Sequence, residues 1–539
     1  MKKKLISFTL LVTLIFTLTL TGCGGKKGGQ NDVTTATNIE ENFNEEGLPI
    51  VNEPVTIKMA SSKKPYVRPF DELKFFQELE EKTNVKIEWD LSPGEGWTEK
   101  KNLIFASNDL PDAFYGSWVL SDDEVLRYGL QGLLIPLEDL IEKHAPNVKK
   151  MFEDYPEYKK MLTAPDGHIY SLPRLDESSP LTNDVLMINK TWLDKVGKPI
   201  PTTTDEFYEV LKAFKEHNDL NGNGMDDEIP FTFRGSHHIS GIYSLMGSFG
   251  ILDNSKKIAV VNDKIEFIAI KPEYKEAVKY FHKLFTEELA DEEAFTQDGS
   301  VYSAKVSRTK SEEQIIGALT GWGLVQTFGD RNENYVVIPP LKGPKGHQMW
   351  NKRDGTFSKC SFVITSACKN PEIAMRWANE HYESDIAYQE YYGLFDVAIK
   401  KNDEGKIEFI QPPEGKNLSN LRHEQSPGQN GMHFLTKDMV QNIKYSEKDI
   451  EKKECDKMYK PYVVDTNYPQ IYMTIEENEE LATIKTDVIN YVKEMTAKWM
   501  MNGGIDEEWD TYIKKLKQMK MEKMITIYQN AYDRYISSK

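Results

Sequence analysis

The feature that most constrains the fold is a strand–helix–strand unit near the start of the body. Val55-Thr-Ile-Lys-Met-Ala60 alternates at period two, as a half-buried strand does. Leu73, Phe76 and Leu79 then fall on one helical face, and Val85, Ile87 and Trp89 alternate again. Two strands joined through a helix over so short a distance form a parallel α/β unit. The same logic returns downstream. Thr203-Thr-Asp-Glu206 has the form of a capping box, followed by Phe207, Val210, Leu211 and Phe214 on one stripe. Pro272 opens a helix containing Ala277, Val278, Phe281, Leu284 and Phe285, and Pro371 opens another with Ala374 and Trp377. From Leu481 the chain reads as helix to its end, broken at Gly503-Gly504. No internal repeat is visible. The class is α/β with helical additions and a C-terminal helical segment.

The N-terminus sets the compartment. Lys2, Lys3 and Lys4 precede an apolar run from Leu5 to Leu20, which ends in Leu20-Thr21-Gly22-Cys23. That order fits a secretory signal and is too short for a stable membrane span. A Cys after Leu-Thr-Gly is the bacterial lipobox pattern, which predicts diacylation of Cys23 and cleavage before it. Each acyl chain contributes roughly 0.8 kcal/mol per buried methylene, enough in pairs to hold a soluble body at a membrane. Gly24 to about Glu46 is polar and glycine-rich, and reads as a flexible tether with an average reach of roughly 27 Å. The remaining body of about 490 residues exceeds what one core usually supports, so two or more lobes are expected.

Charge and motif content narrow the function. A net charge of −18 argues against a nucleic-acid partner. No nucleophile elbow, zinc motif or P-loop is present, and no carboxylate pair is singled out as a hydrolase would require. The reading is a non-enzyme. Cys360 and Cys368 flank a strand whose ends stand too far apart for a disulfide, and together with Cys455 they read as free thiols.

Asp219-Leu-Asn221-Gly-Asn223-Gly224-Met225-Asp-Asp227-Glu228-Ile-Pro230 is the sharpest local motif. Oxygen side chains at positions 1, 3, 5 and 9, a glycine at 6 and a backbone carbonyl at 7 follow the order of an EF-hand loop. Hard oxygen donors at this density point to Ca²⁺. Position 12 is Pro230, so Glu228 is the substitute carboxylate, and a structural role is expected. The expected ligands are Asp219, Asn221, Asn223, the Met225 carbonyl, Asp227 and Glu228.

Several stretches together resemble family 1 extracellular solute-binding proteins, especially the alginate-oligosaccharide-binding-like and LplA-like lipoproteins. They include Asn102-Leu-Ile-Phe-Ala-Ser-Asn-Asp-Leu-Pro-Asp112, Gly129-Leu-Gln-Gly-Leu-Leu-Ile-Pro-Leu137, Pro165-Asp-Gly-His-Ile-Tyr-Ser-Leu-Pro173, Asn189-Lys-Thr-Trp-Leu-Asp194, Gly321-Trp-Gly323 and Asn370-Pro-Glu-Ile-Ala374. The resemblance implies a two-lobed, class II periplasmic-binding-protein-like fold. Residues 1–22 would be the signal peptide and 23–47 the tether. Residues 48–180 with 355–435 would form one lobe, and 181–354 with 436–539 the other together with the C-terminal helices. It implies a monomer on the outer face of the cytoplasmic membrane that delivers a carbohydrate, an oligosaccharide above all, to the permease subunits of an ABC importer. A peptide or other non-sugar solute is the alternative cargo, with a lipid-anchored glycoside hydrolase behind it.

Sugar sites pair flat rings with convergent polar groups. The ring candidates lie in loops after strands: Tyr115 and Trp118 after Pro111 to Phe114, and Trp322 between two glycines. The resemblance puts both segments at the cleft. Trp97, Tyr66, Arg174 and Trp350 complete the set. Trp377 and Trp509 fall on helical stripes and read as packing, and His237-His238 as loop residues.

Overall fold

The computed structural model describes residues 39–537 apart from 118, 218, 236, 307–313, 354–356, 415, 417 and 446, and the side chains of these residues other than 39, 40, 330–332 and 447–449. Cys23, the leader and most of the tether lie outside the described residues, as does Trp118.

Val55–Lys63 and Val85–Pro93 pair in parallel, Val55 opposite Val85, across the helix Lys74–Thr83. That unit belongs to a six-stranded sheet ordered Phe434–Leu435, Leu172–Asp176, Phe357–Ile364, Ala113–Tyr115, Val55–Lys63 and Val85–Pro93. Phe357–Ile364 runs antiparallel to both its neighbours, so the sheet is mixed. A separate four-stranded sheet is ordered Tyr335–Ile338, Val185–Asn189, Ile316–Gly321 and Ile229–Thr232. Each sheet has its own core. Phe70, Phe76, Tyr115 and Trp377 pack on one face of the first, with Phe105, Phe114 and Tyr128 on the other. Phe207, Phe214, Phe231 and Phe281 pack around the second. The molecule is two-lobed, as the resemblance implied.

The chain passes between the sheets after Asp176, returns after Ile338, and passes again after Leu435. In the second and third passages Trp350–Asn351 pairs in parallel with Val463–Val464. Three helices then close the chain: Ile475–Asn502, Ile505–Gln518 and Met521–Ser537. The first opens on a capping box of Thr474 with Glu477, and the predicted Thr203–Glu206 box is present as well. The break falls at Gly503 and Gly504, whose φ values of +75° and +92° suit glycine alone. A Cβ on Gly503 would also stand 2.6 Å from His282 Nε2.

The end of the segment expected as a tether is tied to the body. Asn44 N–H donates to the Ile50 carbonyl, and the Arg376 guanidinium donates to the Asn44 and Gly47 carbonyls. A polar segment can thus be held through its backbone, with Asn42, Ile50 and Val51 buried. Cys360, Cys368 and Cys455 are free, and burial pushes each thiol up to about 12. Trp377 is packed in the first core, while Trp509 lies partly buried against the second.

Candidate functional site

The site grows from the end of Ile316–Gly321. Past that strand the backbone turns through Trp322 and Gly323. A Cβ at Gly323 would lie 2.9 Å from the Glu451 carboxylate, so only glycine lets this carboxylate approach. Glu451 accepts from the Leu324 N–H at 2.9 Å and the Val325 N–H at 3.3 Å, fixing the turn. Trp322 is left half-buried, with the Arg353 guanidinium 5.0 Å and the Lys452 ammonium 5.3 Å from its ring centre. Both distances suit cation–π attraction. Burial pulls Arg353 and Lys452 below their usual values, partly offset by Asp176 for the first and Asp456 for the second.

A further cation comes from the first sheet. Arg174 stands on Leu172–Asp176 and donates from Nη1 to the Gln429 carbonyl at 3.1 Å. Asp176, Tyr391 and Arg174 all act electrostatically on Arg353, which comes from the second passage between the sheets. Arg422 lies 5.2 Å from the Tyr391 ring centre. Tyr66 is 59 % exposed, its ring 4.6 Å from His423. Arg353 therefore links the Trp322 ring to Asp176 and Arg174 of the first sheet. Such a set can hold a flat, hydroxyl-bearing ligand through ring faces and charge-assisted hydrogen bonds.

Three of the expected rings do not take part. Tyr115 is fully buried, ringed by Phe70, Phe76, Trp89, Trp377 and His381, and its hydroxyl donates to Glu390. It ends a strand paired on both sides, so its face has no way out. Trp97 starts a helix and donates from Nε1 to the Val119 carbonyl at 2.8 Å. Trp350 is wholly buried against Tyr459 and donates to the Asp184 carbonyl at 3.0 Å. These three are packing residues. Of the other candidates, Trp322 is half-buried, Tyr66 is exposed, and Arg174 is buried with its guanidinium on the Gln429 carbonyl. Sequence reasoning missed Arg353, Lys452, Tyr391 and Arg422, since nothing local distinguishes a cation that reaches a distant ring.

The oxygen-rich loop keeps to itself. Asp227 accepts from the Asn221 and Asn223 carboxamides at 2.9 and 3.1 Å, and Glu228 accepts from the Asn221 N–H at 3.0 Å. Asn221 and Asn223 in turn accept from the N–H groups of Asn223 and Met225. Gly222 and Gly224 take φ of +82° and +78° with open space beside them. Asp219 Oδ1 is buried without a hydrogen-bond partner among the described residues. The donor set fits a hard cation, with three carboxylates beside three amide and carbonyl oxygens. Among the described residues no three His, Cys, Asp or Glu close on one point.

With this geometry in place, three relatives are informative. The fructooligosaccharide ABC transporter substrate-binding protein FusA of Streptococcus pneumoniae serotype 4 is 34 % identical across the whole of both chains. The solved structure of a FusA EF-hand mutant from S. pneumoniae with fructo-nystose matches at a TM-score of 0.77 and 33 % identity, over 90 % of this chain and 100 % of that one. An HMO-binding solute-binding protein from Bifidobacterium longum infantis matches at a TM-score of 0.80 and 26 % identity, again over 90 % and 100 %. Over residues 60–380 the chain also matches the model of the bacterial extracellular solute-binding proteins, and it belongs to that family.

Proposed function

We propose that this protein is the lipid-anchored substrate-binding protein of an ABC importer, and that it carries an oligosaccharide between its two lobes. The observation that carries the reading is Trp322, a half-exposed ring framed by Arg353 and Lys452, with Arg353 also within the electrostatic reach of Arg174 and Tyr391. Ring faces stack on the C–H faces of sugars, while guanidinium and amide groups take the hydroxyls. The full-length likeness to a fructooligosaccharide-binding protein supports the same cargo class. Residues 48–180 with 355–435 form one lobe, and 181–354 with 436–539 the other. Closure of the lobes over the sugar is the signal presented to the permease subunits. Cys23 carries the diacyl anchor on the outer face of the cytoplasmic membrane.

Asp219, Asn221, Asn223, the Met225 carbonyl, Asp227 and Glu228 hold a structural Ca²⁺ in this reading. The unpartnered Asp219 oxygen supports it, as does the existence of an EF-hand mutant among the similar structures. Bound calcium supplies charge neutralisation and rigidity to the loop. Calorimetry on the mature chain with a panel of neutral and acidic oligosaccharides and short peptides tests the cargo. Binding of peptides with no response to any saccharide would overturn it.

A further inference from the structure

The helix Glu447–Tyr459 lies in the third passage between the sheets, and one stripe of it carries Glu451, Lys452, Cys455, Asp456 and Tyr459. Tyr459, wholly buried, anchors its end to the second sheet. The hydroxyl donates to the Ile338 carbonyl at 2.6 Å and accepts from the Leu186 N–H at 2.8 Å. From that anchor, the two carboxylates of the stripe reach the two parts of the Trp322 frame.

Glu451 holds the ring's part. Its Oε1 and Oε2 accept from the Leu324 and Val325 N–H groups at 2.9 and 3.3 Å, directly after the turn through Trp322 and Gly323. A carboxylate bound by two successive amides makes charge-assisted hydrogen bonds, stronger than neutral ones, and fixes the backbone from which the ring projects.

Asp456, about one turn on, holds the cations' part. It accepts from the Leu181 N–H at 2.7 Å, the Thr182 N–H at 3.3 Å and the Thr182 hydroxyl at 3.2 Å, all in the first passage. The Leu181 carbonyl accepts from the Arg353 N–H at 2.8 Å, and the Thr182 hydroxyl accepts from the Lys452 ammonium at 3.0 Å. With its one proton given to Asp456, that hydroxyl has only lone pairs to turn to Lys452. Both cations on the Trp322 ring are thus tied to the two residues that Asp456 grips. Burial pulls Lys452 and Arg353 down, and the Asp456 charge works against it in both, alongside Asp176 for Arg353.

Resting on the oligosaccharide reading above, we infer that Glu451 and Asp456 are positioning residues: Glu451 aims the Trp322 ring at the saccharide, and Asp456 holds Lys452 and Arg353 against that ring. Each acts through the frame and not on the saccharide itself.

The test is a pair of double-mutant cycles read by calorimetry on the full mature chain. Kestose, nystose and trigalacturonate are the probes, and the tightest binder is carried forward. Glu451→Ala should weaken that saccharide about tenfold, but less than about twofold once Trp322 is alanine, because a residue that acts through the ring then has nothing to aim. Asp456→Ala should weaken it about fivefold, falling to about twofold once Lys452 is alanine, the remainder being its hold on Arg353. Glu451→Gln and Asp456→Asn each keep one acceptor oxygen in place, so each should recover all but about threefold. They take the alanines' places in the cycles if those chains do not fold. Equal factors with and without the Trp322 ring would overturn the role of Glu451, and equal factors with and without Lys452 that of Asp456. Unchanged affinity in both single variants, with Trp322→Ala weakened, would overturn the positioning roles and leave the cleft reading standing. A Trp322→Ala chain that binds as tightly as the unaltered one, or an unaltered chain that binds no probe, would remove the cleft reading and the positioning roles together.

Discussion

Tyr115 and Trp322 stand at the ends of strands in the two sheets and are used in opposite ways. The strand of Tyr115 is flanked by Val55–Lys63 and Phe357–Ile364, and its ring is covered by aromatic neighbours and tied to Glu390. Trp322 has already left its strand, between glycines that let the backbone turn and Glu451 approach. The same local pattern, a ring after an apolar run, thus yields a core residue in one place and a half-buried loop residue in the other. What decides is the number of paired neighbours and what lies above the strand end. Both are long-range facts.

The comparison breaks most readily at its buried side. Tyr115→Ala should cost about 3–5 kcal/mol by chemical denaturation, as large-to-small core changes do. The folded fraction should bind its ligand as before. Wild-type stability with lost affinity would return this ring to the cleft. Next in size is Trp322→Ala, expected to weaken binding by about 30-fold, the scale of a central aromatic anchor. Its melting temperature should move by only a few degrees. A large stability loss with affinity intact would make Trp322 the packing residue of the pair.

Local signals were legible where they depend on near neighbours. The first parallel unit, the Thr203–Glu206 box and the break at Gly503-Gly504 all follow from spacing and glycine chemistry. Of the ring candidates, Trp322 and Tyr66 keep exposed surface in their loops, and Tyr115, Trp97 and Trp350 are buried because burial is set by the opposite side of the core. Arg353 and Lys452 reach Trp322 from positions 31 and 130 residues on, a relation no local pattern carries. The hold on residues 44–47, expected as tether, is a case of the same kind. Arg376 holds the Asn44 and Gly47 carbonyls through backbone chemistry that composition does not register.

The oxygen-rich loop sharpens the contrast from a third place, because it should affect stability alone. Calcium at a hundred times its dissociation constant stabilises by roughly 2.7 kcal/mol. Chelation should therefore lower the melting temperature of the unaltered chain by several degrees. Asp219→Ala should be lower at the outset and indifferent to chelation, with saccharide affinity unchanged. Equal responses of both chains to chelator would remove Asp219 from the ligand set.

The smallest effect concerns Asp184, the buried carboxylate of the second lobe, set against Glu390 in the first. Asp184 Oδ1 accepts from Ser244 Oγ at 2.8 Å and from Trp350 Nε1 at 3.1 Å. Burial nevertheless pushes its pKa up to about 7, with those two hydrogen bonds and the Lys452 charge working against the rise. The folded value lies above the unfolded carboxylate range near 4, so the folded state keeps a proton that the unfolded state gives up. The resulting stability is complete below about pH 4 and is lost as pH climbs through about 7. Asp184→Asn cannot ionise and holds nearly the same shape. Its melting temperature should stay level between pH 5 and 8, where that of the unaltered chain falls by a few degrees more. Parallel curves would mean that the carboxylate is charged throughout, with Lys452 and its two donors strong enough to offset the burial.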